Sequence, residues 1–137
     1  MAVKNLLDGS MNLKSSDEIR NIDLTFTMAT NELTVQTVYV KSGNMCTLFI
    51  PRFTFPIGPS NQLINMVPPP EIAPMNSNEA FYGFQVVDTS VARYAVWLAN
   101  PYMFTLNGLS SSLNTQPFGA GPIVINNGMY ITYQINN

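Results

Sequence analysis

Ile22-Asp23-Leu24-Thr25-Phe26-Thr27-Met28 places apolar side chains at every even position and polar ones between them. Successive side chains of an extended strand point to opposite faces, so this period of two predicts a strand with one face on a core and the other on water or a polar neighbour. The same chemistry continues outward. Residues 33–40 and Met45–Ile50 flank Ser42-Gly43-Asn44, where Gly and Asn take the positive φ of a tight hairpin, so the two runs are predicted to pair antiparallel. Residues 81–87 and 93–99 form a second candidate pair about Asp88-Thr89-Ser90, followed by a strand at 103–106 and a turn at Asn107-Gly108. A third hairpin is read at the end: Ile123-Val124-Ile125, then Asn126-Asn127-Gly128, then residues 129–135.

Pro51, Pro56, Pro59, the run Pro68-Pro69-Pro70 and Pro74 crowd the middle of the chain, where they interrupt ladders and force extended or edge-lying loops. The reading is an all-β antiparallel β-sandwich of eight or nine strands, jelly-roll-like, over residues 21–137. Residues 1–20 read as an N-terminal arm or tether. They are rich in charge, with a turn-like Asp8-Gly9-Ser10 and a Ser15-x-x-Glu18 capping signature. Only Ile19 and Arg20 follow that signature before the strand pattern, which allows one helical turn at most.

At 137 residues the chain is long enough for one self-sufficient core. Charged residues make up 10%, against about a quarter in ordinary soluble proteins, and sixteen asparagines with Ser, Thr and Gln fill the deficit. A formal charge of −2 without a Lys/Arg cluster lacks the footprint of a nucleic-acid binder. No apolar run nears the length of a membrane span, and the start does not resemble a signal peptide, so synthesis in a cytoplasm is the simplest expectation. Cys46 is alone and sits in the apolar run Met45–Ile50, which predicts a buried structural thiol.

The absence of histidine removes the commonest general base, the usual zinc ligand and every Ser-His or Cys-His nucleophile. Glu71, Glu79 and Asp88 show no glycosidase or calcium-loop spacing, and no Gly-rich phosphate loop occurs. A non-enzyme without cofactor or metal is expected. Tyr94, Trp97, Tyr102 and Phe104 form the densest aromatic stretch. Trp97 and Tyr102 with Asn100 and Asn107 have the residue types that stack on sugar rings and bond hydroxyls, which makes a lectin-like, carbohydrate-binding module the alternative function. The competing reading puts Tyr94 and its apolar neighbours into the core.

From residue 94 to 137 the chain has no Asp, Glu, Lys, Arg or His. Such a surface is either covered by amides and hydroxyls or buried against another subunit. Its last strand pattern is a hazard as a free edge, so Tyr130, Thr132, Tyr133 and Gln134 are candidate oligomer-interface residues. The uncharged stretch at 110–120 reads as a long polar loop and a candidate binding tip.

Three segments in order resemble head modules of viral and phage fibres or spikes: Tyr39-Val40-Lys41-Ser42-Gly43-Asn44-Met45-Cys46-Thr47-Leu48-Phe49-Ile50, Val67-Pro68-Pro69-Pro70-Glu71-Ile72-Ala73-Pro74, and Gly128-Met129-Tyr130-Ile131-Thr132-Tyr133-Gln134-Ile135. The crossover departs from that pattern in opening on Val67-Pro68-Pro69-Pro70, where the family has a leucine and one proline. The resemblance implies a virion structural protein on the particle surface, a homotrimeric β-sandwich head whose buried surfaces are uncharged strands. It further implies that the arm binds a capsid or base protein and that the outer loops meet a host glycan or protein receptor. With no shaft repeat, a short spike or capsid-decorating protein is implied rather than a long fibre.

Overall fold

The computed structural model describes residues 19–56, 58, 62–75 and 79–135. The alternating stretch is the centre of strand β1 (Ile19–Met28), in which Ile22, Leu24, Phe26 and Met28 are buried. There follow β2 (Asn31–Ser42), β3 (Met45–Ile50), β4 (Phe53–Phe55), β5 (Ile64–Met66), β6 (Ala80–Asp88), β7 (Val91–Asn100), β8 (Met103–Leu109), β9 (Thr115–Gln116), β10 (Ile123–Ile125) and β11 (Met129–Gln134). One 3-10 turn, Pro70–Ile72, is the sole helical piece among the described residues. Ile19 and Arg20 thus belong to the sheet and not to an arm; the arm itself, with its capping signature, lies outside the described residues.

The fold is all-β and antiparallel. In place of an eight- or nine-stranded sandwich the described residues form one curled sheet of eleven strands, ordered β11-β3-β2-β1-β5-β8-β7-β6-β10-β4, with β9 added on β8. The curl brings its two halves face to face. Phe26 of β1 stacks on Phe53 of β4 at 4.1 Å between ring centroids and lies 5.9 Å from Trp97 of β7, and Phe104 of β8 meets Tyr133 of β11 at 5.0 Å. Burying each such ring contributes about 1.5–3 kcal/mol, so the core between the halves is what holds the curl.

The first two predicted hairpins are present. Ser42 pairs with Met45 across a two-residue turn in which Gly43 has φ +60°, and Asp88 pairs with Val91 across Thr89-Ser90. The third is not a hairpin. β10 pairs with β4 and β6, while β11 pairs with β3, so Asn126-Asn127-Gly128 carries the chain from one half of the sheet to the other. Pro51-Arg52 does the same between β3 and β4.

These two passages run side by side as one bent antiparallel ribbon joining the two ends of the strand order. Ile50 faces Met129 before the corner and Phe53 faces Ile125 after it, so the β10–β11 side has one extra residue, a bulge that turns the corner. Gly128 has no side chain because a Cβ there would run into the Phe49 ring and lie 3.1 Å from the Ile50 carbonyl oxygen. Asn127 replaces a strand partner: its Oδ1 accepts from the Gln85 amide at 2.8 Å and its Nδ2 donates to the Gly83 carbonyl at 3.3 Å.

Asn107-Gly108, predicted as a turn, lies inside β8. The real turn precedes it at Pro101-Tyr102, with Tyr102 at φ 69°. Gly108 serves close approach instead, since a Cβ would strike the Arg93 guanidinium and come within 2.7 Å of the Gln116 carbonyl oxygen.

Candidate binding site

The β6–β7 hairpin ends in a turn built without glycine. Thr89 and Ser90 both occupy the left-handed region, at φ 50° and 69°, which strains residues with a Cβ. Tertiary bonds hold the turn there. The Thr89 amide donates to the Pro122 carbonyl at 3.0 Å, and its hydroxyl donates to Asp88 Oδ1 at 3.0 Å while accepting from the Gly121 amide at 3.0 Å.

Beside the turn Asp88 and Arg93 form a largely buried ion pair, Nη1 to Oδ2 2.5 Å. The rest of the guanidinium is also engaged: Nε donates to the Leu109 carbonyl at 3.4 Å, Nη1 to Pro117 at 3.4 Å, and Nη2 to the Gln116 carbonyl at 3.1 Å and side chain at 3.3 Å. The Gly119 amide donates to both Asp88 oxygens, at 2.9 and 3.2 Å. The pair therefore staples the 109–121 segment to the hairpin, and Phe118 lies under the guanidinium at 5.8 Å. That segment is not a featureless polar loop. It contains β9, the Gln62–Phe118 bridge and a tip closed on itself by bonds between Ser110, Leu113 and Asn114.

An open groove of about 840 Å³ lies against this staple. Val91 and Ala92 contribute its apolar surface, and Gln85, Tyr94, Ser110, Ser111, Gln116 and Asn126 supply ring, hydroxyl and amide groups. Asp88 and Arg93 also line it, already neutralised by each other.

The four residues read from the sequence as ligand-binding do not converge. Trp97 is wholly buried, its ring against Phe26 and Phe84, and its Nε1 is the one buried side-chain polar atom without a partner among the described residues. Asn107 is buried. Asn100 donates to Thr105 Oγ1 at 3.3 Å, and Tyr102 stands 70% exposed on the far turn of β7. The strand parity is the reverse of the core reading: Arg93, Ala95 and Trp97 share one face, and Tyr94, 56% exposed, sits on the other. Of the interface candidates, Tyr133 is buried and its hydroxyl donates to the Ile72 carbonyl at 2.8 Å, whereas Tyr130 is 66% exposed and Thr132 is also exposed.

Gln85, Ser111, Gln116 and Asn126 carried no motif that could have marked them; only the fold assembles them. Glu79 lies just before β6 and Asp88 at its far end, up to about 30 Å away at roughly 3.3 Å per residue, so they form no carboxylate pair. Among the described residues no group of three or more His, Cys, Asp or Glu is placed to hold a metal ion. Cys46 is buried as expected, and burial pushes its thiol above the ordinary value of 9.0. No protein-family model and no curated protein matches this chain.

Proposed function

We propose that this chain is a non-enzymatic virion structural protein, a short spike, fibre head or capsid-decorating module that assembles as a homotrimer on the particle surface. The supporting observation is the outer face of β3 and β11. Phe49 and Tyr130 pack there at 4.8 Å, Thr47 and Thr132 share a hydroxyl bond at 2.9 Å, and Met45 is 39% exposed, with no charge on either strand. β11 is also the end of the strand order, its outer edge met, among the described residues, by Pro74 and Met75 near its C-terminal end. An uncharged aromatic face beside a partly open strand edge is the surface a sister subunit covers, and a cyclic trimer hides it completely. The corner-turning ribbon supports kinship with jelly-roll heads, in which strands switch between facing sheets through bends.

In this reading the residues before Ile19 attach the head to a capsid or base protein, and the outer loops meet the host. Light scattering coupled to size exclusion at two concentrations is the test. A mass of three times 15.2 kDa is expected, falling to one chain mass in Tyr130→Arg. A monomeric native protein with the same retention as the variant overturns the assembly reading. Deleting residues 1–18 should leave the oligomer intact and abolish particle attachment.

A further inference from the structure

We infer that the groove beside the Thr89-Ser90 turn binds an uncharged saccharide, its ring laid on Tyr94 and its hydroxyls held by neutral amides and hydroxyls. The inference rests on the host-attachment reading for where the saccharide is displayed, a glycosylated cell surface, but its chemistry comes from the groove alone.

Charge decides the class of ligand. Arg93, the only cation among the described residues that line the groove, already donates to Asp88, Gln116, Leu109 and Pro117. A phosphate, sulfate or sialic-acid carboxylate would have to break the staple to reach it. Asp88 is equally engaged, by Arg93, the Thr89 hydroxyl and the Gly119 amide, so a cationic ligand gains no free carboxylate. What remains is neutral.

The neutral groups match a polyol. Each sugar hydroxyl both donates and accepts, and so do the side chains of Gln85, Asn126, Ser110 and Ser111. Gln116 is tied through its Oε1 to Arg93, on the face of β7 opposite Tyr94, whereas Gln85 is the cross-strand partner of Tyr94 and shares its face. Tyr94 adds an exposed ring with a polar tip, the kind of surface on which the C–H face of a pyranose stacks. The volume lies within the range of small-molecule sites, enough for a short oligosaccharide.

Rigidity is the remaining element. The left-handed Thr89-Ser90 turn is pinned to Pro122 and Gly121, and the opposite wall is pinned through Arg93. Strain held in place at one end of a groove is typical of ligand sites, and a rigid wall lowers the ordering cost of binding.

The test is ligand-observed saturation-transfer NMR on the full chain, with methyl glucoside, galactoside, mannoside and N-acetylglucosaminide as neutral probes and sialyllactose as the charged one. At least one neutral probe is expected to receive saturation, with affinity reduced about tenfold in Tyr94→Ala, the loss of one aromatic stacking contact. Tyr102→Ala, an exposed tyrosine elsewhere, should bind as the native chain does. Circular dichroism verifies that Tyr94→Ala is folded. Silence with every neutral probe, equal binding by Tyr94→Ala, or a response to sialyllactose alone overturns the inference. The outcome is independent of assembly: a monomer that binds leaves the groove standing and removes the trimer, and a trimer that is silent does the reverse.

Discussion

Arg93 is the last charged residue of the chain, and its side chain is only 14% exposed. Removing its partner leaves a guanidinium in a poorly solvated place, so Asp88→Asn is expected to lower unfolding free energy by about 3 kcal/mol, read as a reduced urea midpoint. Gly108→Ala should act on the same staple, since the new methyl would displace the guanidinium. A second residue-scale effect concerns pH. Burial raises the Cys46 thiol above 9.0 and the Tyr133 phenol above 10.0, and Tyr39 is raised as well. In each case the folded chain keeps a proton that the unfolded chain releases. The stabilisation is therefore full below about pH 9 and falls as pH rises beyond the unfolded values. Urea midpoints should be lower at about pH 10.5 than at about pH 7.5, and Cys46→Ala should remove the earliest part of the fall. Equal midpoints in the native chain would refute this account.

Among the elements, the hairpins whose turn residues lie next to their strands were legible in the sequence, and the corner was not. Asn126-Asn127-Gly128 has the chemistry of a hairpin turn, but its flanking strands find partners at β3, β4 and β6, all distant in sequence. Local propensity cannot distinguish a reversal from a corner, because both need permissive residues between apolar runs. Gly128→Ala tests the corner: a Cβ driven against Phe49 and Ile50 should cost about 1–3 kcal/mol as overpacking, seen as a lower thermal midpoint with an unchanged far-ultraviolet spectrum. The left-handed turn behaves oppositely. Ser90→Gly relieves a strained φ, and among the described residues the Ser90 hydroxyl has no hydrogen-bond partner to lose, so it should stabilise by about 0.5–1 kcal/mol. Thr89→Gly forfeits the hydroxyl that holds Asp88 and Gly121, and no such gain is expected there.

For the whole molecule, the charge-free C-terminal stretch supplies part of the core, from Ala95 and Trp97 to Tyr133 and Ile135, and the uncharged exterior of β11. If this exterior is the trimer contact, the association is apolar and its mass should be unchanged between about 0.05 and 1 M salt, since screening acts on charges. The thermal midpoint should rise with protein concentration, as mass action requires of a folded oligomer. Dissociation by salt would indicate a contact made through the few charged residues of β1 and β2 instead. Curling one sheet into a half-barrel explains why the layer number was misjudged, and the strand count was misjudged because short strands such as β4, β5, β9 and β10 have two or three residues each, too few for a periodic signal.

The sequence by itself determined the all-β class, the one-sided strand at 22–28, two hairpins and the buried cysteine, because each depends on side-chain alternation or on turn residues adjacent in the chain. Tertiary structure alone decided the half-barrel, the inward turn of Trp97 and Tyr133, the exposure of Tyr94 and the gathering of Gln85, Gln116 and Asn126 around one groove. Those depend on which strands pair across the molecule, and a strand's register sets the face of every residue it contains.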